Sequence, residues 1–193
     1  MKTPLPPLSI QAPLTFEWFP TRAHCFVFRN YGLVGVDRLA AVLRCGIAEV
    51  ERLAKELGLG PEDRLAEEFE ERGFVTLVRN NWHLLDYDGL ATLLGTDVDA
   101  LAKLLRESDF LDVKMGGVKP PAGRISVEPL KPGDEKKLAL IRHVPLLLLA
   151  VLILRGQGTR RAAALAALMI QAQVGYDPVQ PDGKLALAPK LRQ

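Results

Sequence analysis

The chain has 193 residues, 48% of them hydrophobic and 25% charged, with a formal net charge of +2. That length holds one or two domains with a real core, and the composition excludes a disordered chain. Near-neutrality excludes a strong field drawing in nucleic acid or acidic membrane, and two cysteines, Cys25 and Cys45, exclude a disulfide framework.

The N-terminal MKTPLPPLSIQAPL lacks the basic start and long apolar stretch of a signal peptide. Its prolines predict an extended arm over 1–24 in a protein of the reducing cytoplasm. Cys25-Phe26-Val27-Phe28 is a β-branched and aromatic run that predicts a strand. Val36, Leu39, Ala40 and Leu43 then fall at i, i+3, i+4 and i+7, one stripe of a helix. After a break at Cys45-Gly46, Ile47, Val50, Leu53 and Leu57 form a second stripe. Gly58 to Pro61 separates this pair from an acidic stretch, Glu62 to Arg72, that predicts a solvated linker helix. Phe74 to Val78 predicts another strand, and Tyr87, Leu90, Ala91 and Leu94 another helix. Gly95 is placed to end that helix, and Thr96 with Asp99 is placed to cap the next as a capping box. Val98, Leu101, Leu104 and Leu105 give its stripe. A third strand is predicted over Phe110 to Met115. Gly116 to Pro132 holds Pro120, Pro121, Pro129 and Pro132, and so predicts a linker over 119–133.

The two helix pairs are versions of one another. FRNYGLVGVDRLAAVLRCGIAEVERLAKEL recurs without a gap as RNNWHLLDYDGLATLLGTDVDALAKLLRES, so that Leu39 matches Leu90 and Leu43 matches Leu94. Apolar matches come cheaply between amphipathic helices. Asn30 with Asn81, Asp37 with Asp88 and Glu56 with Glu107 are more telling, as is the aromatic after each asparagine, Tyr31 and Trp82. A repeat of this size fixes architecture. Helix, tight turn, helix is the geometry of a helix-turn-helix. A strand beside each pair predicts tandem, winged helix-turn-helix-like repeats over 25–118.

Residues 134–193 change composition. Val144 to Leu154 is apolar throughout yet too short for the roughly 20 residues of a spanning helix. No membrane span is expected. A second, Ala-rich helix is predicted over Thr159 to Gln173, giving a C-terminal helical hairpin, and the tail from Gly175 predicts turns and fraying.

Chemistry is thinly signalled. His24, His83 and His143 show no zinc spacing, so no metal site is expected. Cys45 lies where a helix N-terminus lowers a thiol pKa, but Thr96 fills the matching place and Cys45 reads as structural. No nucleophile elbow or phosphate loop appears, so no catalytic residue and no cofactor is expected. A DNA-reading helix would lead with Ala48, Glu49 and Glu51, or with Asp97 and Asp99. Carboxylates there oppose phosphate; Arg52, Lys55, Lys103 and Arg106 lie further along and suit phosphate contact alone. Arg79-Asn80-Asn81-Trp82-His83 has the residue types of an interface anchor, which makes Arg79, Asn81, Trp82 and His83 the candidates for partner binding. The competing reading, which aromatic burial favours, has Trp82 plugging the core and Asn81 capping a turn.

RGFVTLVRNNWHLLDYDGLATLLG and LLRESDFLDVKMGGVKP resemble the N-terminal helical region of large bacterial proteins of poorly defined function that carry glycosidase-like domains downstream. The resemblance covers about Phe26 to Pro132. It implies a region preceding a catalytic domain and holding no catalytic residue. After Pro132 the chain departs from that pattern, which suggests a truncated or frame-altered relative. The expectation is a mainly α protein with short strands that serves as a non-catalytic accessory module binding a protein domain. The alternative is a DNA-binding regulator.

Overall fold

The computed structural model describes residues 3–60, 73–108 and 111–143. Helices α1 (Arg22–Asn30), α2 (Val36–Leu43) and α3 (Ile47–Leu57) form a first unit, and α4 (Phe74–Asn81), α5 (Tyr87–Leu94) and α6 (Val98–Glu107) a second. A single turn, α7 (Leu111–Lys114), follows, and residues 134–143 are helical as well. The protein is mainly helical. α2 and α5 begin and end at positions with the same 51-residue spacing that relates Asn30 to Asn81.

The runs predicted as strands, Cys25–Phe28 and Phe74–Val78, are helical instead, in α1 and α4. Among the described residues there is no strand, and only isolated bridges join Leu8 with Lys119 and Tyr31 with Val34. A short apolar run does not distinguish a strand from a buried helix by its period. Here the local cap and the packing decide. The Thr21 hydroxyl accepts the His24 amide at 3.3 Å, opening α1, and Ala23 to Val27 are all buried, so the helix needs no polar face. The third predicted strand, Phe110 to Met115, contains α7. A sheet forming a wing is therefore absent from the described residues.

Helix ends follow the sequence more closely. Gly95 ends α5 with φ +66, as expected. The cap of α6 lies one residue beyond the predicted Thr96: Asp97 accepts the Ala100 amide at 2.7 Å. α2 ends at Arg44, whose φ of 54 makes it the one non-glycine in the left-handed region among the described residues.

The core is continuous through both units. Leu39, Val50 and Leu53 of the first and Leu90, Leu101 and Leu105 of the second are fully or almost fully buried. α2 packs on α5 and α1 on both α3 and α4. The expected helix over Glu62 to Arg72, and the apolar run and hairpin beyond residue 143, lie outside the described residues. No described helix is long and apolar enough to cross a membrane.

Candidate interaction site

The segment singled out for partner binding is the turn after α4. Trp82 is 1% exposed and Asn81 fully buried, so neither meets a partner at the surface. Burial of the large ring is the stronger force, and its indole N–H finds its acceptor inside, the Val118 carbonyl at 3.1 Å. Asn81 does not cap the turn with its side chain; it pairs with Asn30. Arg79 is exposed. His83 is half-buried, and its Nδ1 accepts the Leu14 amide at 3.1 Å.

Over this turn lies a clasp that no sequence pattern announces. Lys119 is fully buried, and its ammonium donates to the carbonyls of Trp82 and Leu85, each at 2.5 Å, and of Pro120 at 3.3 Å. It also lies 5.1 Å from the Trp82 ring centre and 5.9 Å from that of Tyr87. Burial pulls its pKa down to about 8; the Asp86 carboxylate opposes the shift and Arg22 adds to it. Arg22 reaches from α1 to the carbonyls of Leu84 at 2.5 Å and Gly123 at 2.9 Å, holding the following stretch down. Thus residues 119–125, predicted as linker, include buried Lys119, Pro120, Ala122 and Ile125.

The N-terminal arm lies on top of the clasp. The Lys119 amide donates to Pro7 O at 2.9 Å, the Ser9 amide to Lys119 O at 2.7 Å, and the Tyr87 hydroxyl to Pro6 O at 2.6 Å. All three bonds use arm backbone, which frees the side chains. Leu8 is 62% exposed, Ile10 wholly so, and Trp18 78%. The residues that sequence reasoning missed are these. Their signal was an arm of prolines alternating with large apolar residues, and its course is set by the clasp beneath Pro7 and Ser9 and by His83 at Leu14.

The residues proposed for phosphate contact divide. Lys55, Lys103 and Arg106 are exposed. Arg52 is held by Glu49, at 2.7 and 3.0 Å, and by Glu56, and these carboxylates raise its pKa further. The two helices those residues occupy, α3 and α6, start beside Glu49, Asp97 and Asp99.

A hydroxyl–imidazole–carboxylate chain joins Thr21, His24 and Glu56, with Oγ1 to Nδ1 at 2.8 Å and Nε2 to Oε2 at 3.0 Å. It has the order of a nucleophile relay. The hydroxyl is also the cap of α1, however, and the imidazole is 1% exposed. The chain bolts α1 to α3. Neither thiol is activated: burial pushes Cys25 up to about 12 against the pull of Arg29, and burial with the nearby Glu49 raises Cys45. Among the described residues no cluster of three or more His, Cys, Asp or Glu side chains is placed to hold a metal ion.

No protein-family model, curated protein or solved structure matches the chain.

Proposed function

We propose that this chain is a non-catalytic interaction module whose contact surface is the N-terminal arm. The observation that carries this reading is an arm fixed through its backbone at Pro6, Pro7 and Ser9 while Leu8 and Ile10, with Trp18 further along, are exposed. Three large apolar side chains are thus left exposed between residues 8 and 18 of one arm, as a docking segment requires, and tryptophan is a frequent energetic anchor. The resemblance of the region 26–132 to sequences preceding glycosidase-like domains makes a carbohydrate-active protein domain of bacterial origin the partner in this reading. The module is then the N-terminal part, or a truncated relative, of a larger protein of that kind, acting in the cytoplasm.

Photo-crosslinking in the producing cell tests the assignment. A crosslinking residue at position 10 or 18 should capture one common protein, and the same residue at position 55 on α3 should not. Equal capture from all three positions defeats the proposal.

A second reading is a DNA-binding regulator built on tandem helix-turn-helix repeats. What favours it is the three-residue turn between α2 and α3, repeated between α5 and α6, with Lys55, Lys103 and Arg106 exposed nearby. The acidic leading ends of α3 and α6 weigh against it. A gel-shift titration with random duplex at low salt separates the two readings. Absence of a shift at micromolar protein removes the regulator, because non-specific phosphate contact registers there.

A further inference from the structure

Asn30 and Asn81 lie at matching places in the two units, and their carboxamides bond reciprocally. Asn30 Nδ2 donates to Asn81 Oδ1 at 2.9 Å, and Asn81 Nδ2 donates to Asn30 Oδ1 at 2.7 Å. The second N–H of each returns to its own helix, to Phe26 O at 2.7 Å and Leu77 O at 2.8 Å. Phe26 and Leu77 also correspond. Both carboxamides are buried and all four of their N–H groups are used, so the pair reads the same from either side.

Away from this pair the corresponding helices α2 and α5 pack on one another. The guanidinium of Arg38 on α2 lies against the end of α5, 3.3 Å from where a Cβ on Gly95 would sit. The residues matching Arg38 and Gly95 are Gly89 and Arg44, and these two line a single small cavity of about 50 Å³ between α2 and α5. Where the first unit has an arginine side chain, the second has glycine and leaves a gap. A contact in which i meets j while j meets i is the mark of a two-fold, isologous interface.

We infer that the face joining the two three-helix units is self-complementary, so that the partner it fits is a second copy of the same unit. The chain then carries within one polypeptide the pairing that a homodimer makes between two. Its Asn–Asn contact lies on the two-fold axis and sets orientation, a role known for single buried asparagines in coiled coils. This inference stands apart from the arm and its partner.

Two measurements on the full-length protein test it. Asn30→Ala and Asn81→Ala each leave the opposite carboxamide with one unused donor and one unused acceptor. Each should raise the unfolding equilibrium constant about 10- to 100-fold. Across a two-fold axis the two losses should agree within about fivefold, and the double variant should lose less than their product. A larger disparity between the single variants overturns the inference.

The second measurement replaces residues 36–43 by the α5 sequence, through Val36→Tyr, Arg38→Gly, Ala41→Thr and Val42→Leu. Both facing helices then carry one sequence. A self-complementary face accepts its own copy: the variant stays monomeric by light scattering and melts in one transition. Given matched alanine losses, association or loss of the cooperative melt also overturns the inference.

Discussion

The two units share helix positions and differ in how those helices are finished. In the second, Asp86 accepts the Gly89 amide at 2.8 Å, Gly95 takes the left-handed turn and Asp97 caps α6. In the first, Gly35 and Gly46 open α2 and α3 without a side-chain cap, and an arginine, Arg44, holds the left-handed turn. The turn after α4 is closed by Lys119, whereas the turn after α1 makes its own bridge from Tyr31 to Val34. The same backbone course is thus reached with good local chemistry and with poor local chemistry. Packing of the helix faces sets the course, and the caps adjust its stability. Helical stability in proteins comes mostly from such tertiary burial.

The largest expected effect separates the two aromatics at matched places. Trp82→Ala empties a fully enclosed site and should cost about 3–5 kcal/mol. Tyr31 is only half-buried, so Tyr31→Ala should cost less than half as much, measured by denaturant unfolding. Equal losses would show that the clasp adds nothing to the second unit.

The clasp itself has a pH signature. The Lys119 pKa falls from 10.5 in the open chain to about 8 in the fold. Between those values the unfolded chain keeps a proton that the folded chain has shed, so this group makes stability rise with pH, by at most about 1.4 kcal/mol per pH unit. Cys25 acts oppositely. Its pKa rises from 9.0 to about 12, so the stability it lends is lost as pH climbs from 9.0 toward about 12. The difference between wild type and Lys119→Met isolates the lysine. That difference should grow in favour of wild type from pH 8 to 10.5, and a flat difference refutes a depressed Lys119.

Smaller effects come from repairing the first unit. Arg44→Gly relieves a left-handed L-residue and should stabilise by about 1 kcal/mol. Gly46→Asp installs the cap that Asp97 provides in the second unit. A Cβ at position 46 meets nothing within 4 Å, so a gain of a few tenths of a kcal/mol is expected. Thermal melts read both. If neither variant gains, the caps do not explain the difference between the units.

The helices with a clean apolar stripe were legible from sequence: α2, α3, α5 and α6 lie where the spacing of Leu39, Leu53, Leu90 and Leu101 predicts them. α1 was not, because Ala23 to Val27 are buried all round and lose the period that identifies a helix, and α4 was not, because Phe74 to Val78 is too short a run to show one. Cys25 and Phe74 open runs whose fate is decided by neighbours distant in sequence. The Asn30–Asn81 match was visible as a repeated letter, but its bonding was not. Trp82 went where aromatic burial favours. Lys119 carried no signal at all, since a lysine followed by two prolines reads as solvated linker. Its acceptors at Trp82 and Leu85 come from the turn after α4, a different part of the chain.

Those acceptors decide where the polypeptide can be divided. A chain ending at residue 118 would keep every helix of the two units and lose the ammonium. It would strand two carbonyls beside Trp82, remove the Lys119 backbone that holds the arm at Pro7 and Ser9, and uncover the indole. The shortest piece that retains both the closed second unit and an anchored arm ends after Ile125, well inside the proline-rich stretch. In this protein the stretch most easily mistaken for a spacer is the fastening that holds the N-terminal arm at Pro7 and Ser9.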